Sequence, residues 1–302
     1  MGSLNTINLS YVIATRNRLP FLKITLEKLI AEVQPDEEIV VVDGNSTDGT
    51  KEYLQDLFKA GIIHQYLSEP DKNQAHGWNK AFLMAKGTII KKVIDDDVFC
   101  YNAIRKCKTY MLEHTDIDVI ISNDLGCSLK NYKNVQKFTR LPQFEKWRSG
   151  ITPTFTFGDV HMLVRKSALA YIGLYNTSFV LMDWEYSLRI SQSKANICYY
   201  TGYNALSVSH PQSVSSLKNN KLITDQGKKA AIFYDYAGDG AEISLWSKIK
   251  IFIGKRIYSA KDAPFVGYDI DQSEIPAIYH YLYNYIDHLN NKEEGVFIES
   301  RK

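Results

Sequence analysis

The feature that most constrains this chain is an alternation of two kinds of segment. Short, nearly continuous apolar runs rich in β-branched residues take turns with longer stretches whose apolar residues recur at helical spacing. Leu9 to Ala14 (LSYVIA) and Ile39 to Val42 (IVVV) are runs of the first kind. Ile89 to Ile94 and Val119 to Ile121 are similar, the former interrupted by Lys91 and Lys92. A run without polar alternation is what a strand covered on both faces requires. Between the runs, Phe21, Leu22, Leu26, Leu29 and Ile30 form one helical stripe. Tyr53, Leu54, Leu57 and Phe58 form a second, with Ser46, Thr47 or Asp48 to cap it and Gly61 to stop it. Trp78, Phe82 and Ala85 form a third, ending at Gly87. This order predicts an α/β fold: a doubly wound, mostly parallel sheet flanked by helices. In such sheets ligands sit beyond the carboxyl ends of the strands.

That rule brings three polar clusters to one crevice. Thr15-Arg16-Asn17 follow the first run, Asp43-Gly44-Asn45 the second, and Asp95-Asp96-Asp97 the third. Three adjacent carboxylates repel one another, and a strand end tolerates them best when a cation compensates. Their hard oxygens suit Mg²⁺ or Mn²⁺, and alternate residues such as Asp95 and Asp97 face the same way wherever the strand persists. A solvated acidic turn is the plainer alternative. Asp43 is placed to accept hydrogen bonds from a ribose hydroxyl or a base N–H, while Asn45 to Gly49 read as turn and helix-cap chemistry. Asp183, in MDWEYSLRI, stands at the start of a predicted helix. It fits either an N-cap or a general base that takes an acceptor hydroxyl's proton. Glu185 and Arg189, four apart, fit a helix-surface ion pair. His210, in SVSHPQSVS, can join a metal site as a neutral imidazole.

Composition narrows the partners. The net charge of +2 at pH 7 gives no reason to expect nucleic acid. Four irregularly spaced cysteines make neither a zinc pattern nor a disulfide framework and point to free thiols in a reducing compartment. No stretch resembles a signal peptide or approaches the ~20 apolar residues of a membrane span, so a cytoplasmic location is expected. The character of the chain changes near residue 215, which divides it into 1–215 and a helical C-terminal extension, 216–302. Around Trp246, the residues Lys248, Lys250, Lys255 and Arg256 lie beside large apolar ones. This stretch, 243–258, reads as a helix packed on the domain or as a peripheral contact with the inner face of a membrane.

From Leu9 to Ser215 the motifs, in order, are SYVIATRNR, VVVDGNSTDGT, SEPDKNQAHGWNKAF, GTIIKKVIDDDVF, VRKSALAYIGLYNTSF, MDWEYSLRI and HPQSVS. Each is common alone; the ordered set resembles the family-two nucleotide-sugar glycosyltransferases, inverting enzymes with the GT-A fold. The resemblance implies transfer of a sugar from a nucleoside-diphosphate donor, UDP-linked, to a glycan or lipid-linked acceptor in surface polysaccharide or glycoconjugate synthesis. It implies that Thr15, Arg16 and Asn17 line the nucleotide pocket and that Asp43 holds the uracil or ribose. Asp71, Gln74 and Asn79 would close around nucleotide and sugar. The Asp95–Asp97 triplet would be the acidic motif facing donor and metal, with Mn²⁺ or Mg²⁺ held by Asp96, Asp97 and His210. Asp183 would be the catalytic base. Asp159 and His161 (FGDVHML) would stand on the acceptor side, as would Trp184 and Glu185, although core or turn roles suit Asp159 and His161 as well. Three positions depart from the family pattern: Ala14 replaces a Pro, Asn73 a Gly, and Ile94 the first acid of the metal motif.

Two rival readings stand beside this one. A sugar-phosphate nucleotidyltransferase would share the sheet and the carboxylates, but the Ala14–Asn17 turn lacks the glycines of a triphosphate loop. A degenerate, non-catalytic sugar-binding domain would share the fold alone.

Overall fold

The computed structural model describes residues 6–211, 220–236 and 270–300. The chain runs β1 (Leu9–Thr15), α1 (Leu19–Glu32), β2 (Glu37–Asp43), α2 (Thr50–Lys59), β3 (Gln65–Ser68), α3 (Gln74–Met84) and β4 (Ile89–Lys92). It continues through β5 (Val98–Phe99), α4 (Tyr101–Glu113), β6 (Val119–Ser122), β7 (Asp124–Ser128), β8 (Gln136–Phe138), α5 (Leu141–Arg148) and β9 (Met162–Arg165). Then follow α6 (Leu169–Ile172), α7 (Met182–Gln192), β10 (Ile197–Tyr200), β11 (Ala205–Ser209), α8 (Asn220–Phe233), α9 (Ile275–Lys292) and β12 (Phe297–Glu299).

Eight strands form the main sheet in the order β12-β10-β6-β9-β4-β1-β2-β3. β1 runs parallel to both β2 and β4, β2 to β3, and β10 to β6. β9 lies antiparallel between β4 and β6, and β12 antiparallel on the edge. A second sheet, β5-β11-β7-β8, stands beside it. The unbroken apolar runs explain the layering. Side chains alternate faces along a strand, so Leu9, Tyr11 and Ile13 of β1 enter one core with α1, α4 and α9. Val12 enters the other, with α3, α5 and α7. The predicted stripes form the helices: Phe21, Leu22, Leu26 and Leu29 are the buried face of α1. The N-cap of α2 is Gly49 rather than Ser46, Thr47 or Asp48, although Asp48 accepts from Thr50 N at 3.1 Å; Gly61 takes the left-handed conformation just past the helix end, at φ 70°.

Two boundaries change the reading. β4 ends at Lys92, short of the apolar run's end, and Asp95–Asp97 form a turn closed by Asp97 N donating to Ile94 O at 3.2 Å. The premise that strand alternation turns Asp95 and Asp97 the same way therefore does not hold. At the C-terminus, α9 joins the first core through Ile278, Tyr279, Leu282 and Ile286. The chain then adds a strand, β12, where helix alone was expected; Phe297 stacks on Tyr110 and Tyr200 at 3.9 and 4.8 Å. The boundary at 215 and the 243–258 stretch lie outside the described residues. Among the described residues no helix is long and apolar enough to cross a membrane. All four cysteines are buried and unbridged.

Candidate active site

The loop after β1 is built on Asn17, whose φ of 54° is a left-handed conformation that Asn tolerates better than most residues. Its carboxamide accepts from Thr47 N at 2.8 Å and its backbone N–H donates to Ser46 Oγ at 2.8 Å, tying this loop to the one after β2. Arg16 is exposed, and its side chain passes over Gly44. Asp43 is fully buried. Its carboxylate accepts from Ser46 N and Ser46 Oγ and, at 2.7 Å, from Ser68 Oγ. The structure thus gives Asp43 the work of shaping the turn that carries Asn45 to Asp48. Asp71 lies in the same corner, paired with Lys80 at 2.7 Å. Gly77 makes room for it, since a Cβ there would sit 2.6 Å from Asp71 Oδ2.

α3 begins at this corner. Asn73, where the family pattern has Gly, is its N-cap; its side chain accepts from His76 N at 3.1 Å, and its φ of −170° is ordinary extended backbone. Gln74 is exposed at the first helical position. Asn79 spends both ends of its amide on the Tyr175 backbone, at 2.8 and 2.9 Å, pinning the loop before α7 to α3.

The acidic turn is the electrostatic centre. Asp95, Asp96 and Asp97 are all buried and face three ways. Asp95 accepts from Thr15 Oγ1 at 2.6 Å, and Asp97 from Val208 N of β11 at 2.8 Å. Asp96 Oδ2 lies 2.5 Å from Arg18 Nη1 and 2.8 Å from His210 Nε2. His210 is buried and stacks on Phe21 with ring centroids 5.0 Å apart. Tyr279 of α9 donates to the Asp96 carbonyl at 2.5 Å, so the C-terminal helix closes the floor of the site. Burial, with the neighbouring Asp96 charge, pushes the Asp97 carboxyl well up; burial likewise lifts Asp95 to about 6. Asp96 moves the other way, because Arg18 and His210 outweigh its burial.

Metal ligation was expected from Asp96, Asp97 and His210. Asp96 and His210 meet, but Asp97 turns to β11, and among the described residues no group of three or more His, Cys, Asp or Glu side chains converges as metal ligands do. The chemistry of the donor set still suits a divalent ion. The Asp96 carboxylate and the His210 imidazole face each other 2.8 Å apart, an oxygen and a nitrogen donor of the kinds such ions accept.

The second group of candidates gathers at the start of α7. Asp183 is half-buried in the first helical turn, and its carboxyl is raised, first by burial and then by Asp159, against the opposing Lys92. Asp159 and His161 are buried beneath it. Asp159 holds Lys92 Nζ and Tyr175 OH, each at 2.7 Å. Burial lowers the His161 imidazole, which keeps it neutral. Trp184 packs edge-on against Tyr236 at 5.7 Å, facing α8. Glu185 is fully buried, paired as its spacing predicted with Arg189 at 3.0 Å, and accepts from Tyr234 OH. Its carboxylate thus serves the α7–α8 contact.

Three residues of this region were not singled out as site residues from the sequence: Arg18, Lys92 and Tyr279. The first two carried a signal. Arg18 closes the polar TRNR cluster, and Lys92 breaks an otherwise apolar run. Tyr279 had none, because its place depends on the packing of α9.

A family model described as Glycosyl transferase family 2 matches residues 10–173. TuaG of Bacillus subtilis (strain 168), named a teichuronic acid biosynthesis glycosyltransferase, is 27% identical over 107 residues, 35% of this chain and 42% of its own. A Bifidobacterium longum subsp. longum protein named 3-O-alpha-D-galactosyl-alpha-L-arabinofuranosidase is 26% identical over 263 residues, 74% of this chain. The chain spans 23% of that protein, so it covers well under two thirds of either relative. S. aureus TarS 1–349, solved in complex with UDP-GlcNAc, superposes with a TM-score of 0.59 at 17% identity, covering 81% of this chain and 70% of that one. The mannosyltransferase PcManGT from Pyrobaculum calidifontis, solved with GDP-Man and Mn²⁺, gives 0.51 at 16% identity, covering 95% and 72%.

Proposed function

The chain belongs to glycosyl transferase family 2, and from that premise we propose that it moves a sugar from a UDP-linked donor to a glycan or lipid-linked acceptor with inversion, in surface polysaccharide or glycoconjugate synthesis. Its fold is of the GT-A type. One observation carries the reading. The end of β4 joins an acidic turn gripped by Arg18 and His210 to the half-buried Asp183, through Lys92 and Asp159. One-step displacement with inversion needs two such poles, one for the leaving diphosphate and one for the acceptor's proton.

At the first pole, Thr15 and Asp95 brace the acidic turn while the Arg18 guanidinium offers a fixed positive charge to the departing oxygens. Asp96 and His210 would hold the divalent ion, Mn²⁺ or Mg²⁺, which when bound neutralises charge on the diphosphate. The Asn17–Asp48 loops, shaped by Asp43, form the wall for the nucleotide. At the second pole, Asp183 takes the proton from the acceptor hydroxyl; burial raises it toward the working pH, which strengthens it as a base. The names of TuaG and TarS's ligand support the choice of glycan chemistry and of UDP.

A thermal-shift screen of UDP, GDP and dTDP, each with and without Mn²⁺, tests the donor side. A ligand that binds only the native state raises its melting temperature, and UDP with Mn²⁺ is expected to give the largest rise. Asp183→Asn should keep that rise and lose roughly 100- to 10,000-fold in transfer rate. Full transfer by this variant refutes the base assignment; no shift with any diphosphate refutes the donor class.

A further inference from the structure

Two lysines stand in succession inside β4, 0% and 2% exposed. Lys91 points to one face, where it donates to Val160 O and to Asn204 Oδ1 at 3.1 Å. Lys92 points to the other, toward α7. Its ammonium is 2.7 Å from Asp159 Oδ2, lies 4.4 Å over the Trp78 ring and 5.4 Å over that of Tyr175. Tyr175 OH donates to the same Asp159 oxygen at 2.7 Å, and the Tyr175 ring packs 4.5 Å from Tyr186, three residues after Asp183. α7 rests directly on the 3-10 turn Asp159–His161. A buried ion pair rarely stabilises a fold more than apolar side chains of the same volume, so packing alone does not account for this one. Its place under the start of α7 does.

We infer that Lys92 is a positioning residue for Asp183: its ammonium balances the Asp159 charge so that the carboxylate at the start of α7 stays ionised.

Among the described residues, three charged or titratable groups act on Asp183 from neighbouring elements. Asp159 reaches it from the 3-10 turn, Lys92 from β4 and Tyr175 from the loop between α6 and α7. On α7 itself, Glu185 is committed to Arg189 and Tyr234. Removing the Lys92 charge leaves the Asp159 carboxylate unbalanced beneath the helix that carries Asp183, and like charges on packed elements draw a proton onto one of them. Removing the Asp159 charge leaves an unbalanced ammonium, which favours the Asp183 anion.

The inference depends on the base reading for its catalytic meaning, but the charge state can be measured without turnover. The test is a pH titration of the full chain labelled with ¹³Cγ-aspartate, in which the Asp183 signal is the one lost in Asp183→Asn. Lys92→Met should raise the Asp183 midpoint by about one unit or more, and Asp159→Asn should lower it. Lys92→Arg should leave it near the wild-type value. Midpoints that stay still, or move the same way in both single variants, overturn the inference. Should Lys92→Met fail to fold, Asp159→Asn and the double variant Lys92→Met/Asp159→Asn remain decisive. The midpoint must then be lower than wild type in Asp159→Asn, and any other result overturns the inference. The base reading fails separately, if Asp183→Asn keeps its transfer rate while the midpoints move as expected.

Discussion

At the residue scale, the acidic turn shows how three identical side chains acquire three chemistries. Asp96 is stabilised as an anion by Arg18 and His210, whereas Asp95 and Asp97, equally buried, are pushed toward the protonated form. The sign of the consequence follows from linkage. Asp95 rises from 3.8 to about 6 on folding, so between those values the native state holds a proton that the unfolded chain has released. Its contribution therefore makes the protein less stable as pH climbs from about 4 to about 6. Asp95→Asn keeps an acceptor for Thr15 and abolishes that slope. Melting temperatures measured from pH 4 to 7 should converge for variant and wild type at the acid end, with the variant the more stable at neutral pH. Parallel curves contradict the assignment. The triplet itself was legible in the sequence. Which carboxylate faces Arg18 was not, because that depends on β4 ending at Lys92, two residues short of the apolar run's end.

At the element scale, periodicity located the strands and helices well wherever a segment has to be buried on one face or both. It placed β1, β2, β6 and α1 within a few residues, since unbroken apolar runs and a four-residue stripe each have one economical way to be covered. It mistook the end of β4, where Val93 and Ile94 are apolar but link the strand to the turn rather than extend the strand. For the C-terminal stretch periodicity gave a helical extension without the face it presents, and α9 buries Leu282 completely among residues of the main core. Leu282→Ala should lower stability by about 2–5 kcal/mol, the range for truncating a buried Leu. A urea midpoint equal to wild type would show that α9 is not held as described.

At the scale of the whole molecule, the described N-terminal strands and the C-terminal α9 and β12 share one core and one sheet. Tyr279 further ties α9 to the acidic turn. Urea unfolding should therefore be a single transition, with helical circular dichroism and tryptophan fluorescence coinciding; separate midpoints would reveal independent units. The sequence by itself determined the layered α/β architecture and the family, because hydrophobic periodicity and short ordered motifs are local properties that a linear reading captures. Only the tertiary structure decided how charges are matched beyond the strand ends. Arg18 meets Asp96 across 78 residues of chain, Lys92 meets Asp159 across 67, and His210 reaches Asp96 across 114. Electrostatic partnership depends on distance in space and on exclusion of water, and neither is written in the spacing of residues along the chain.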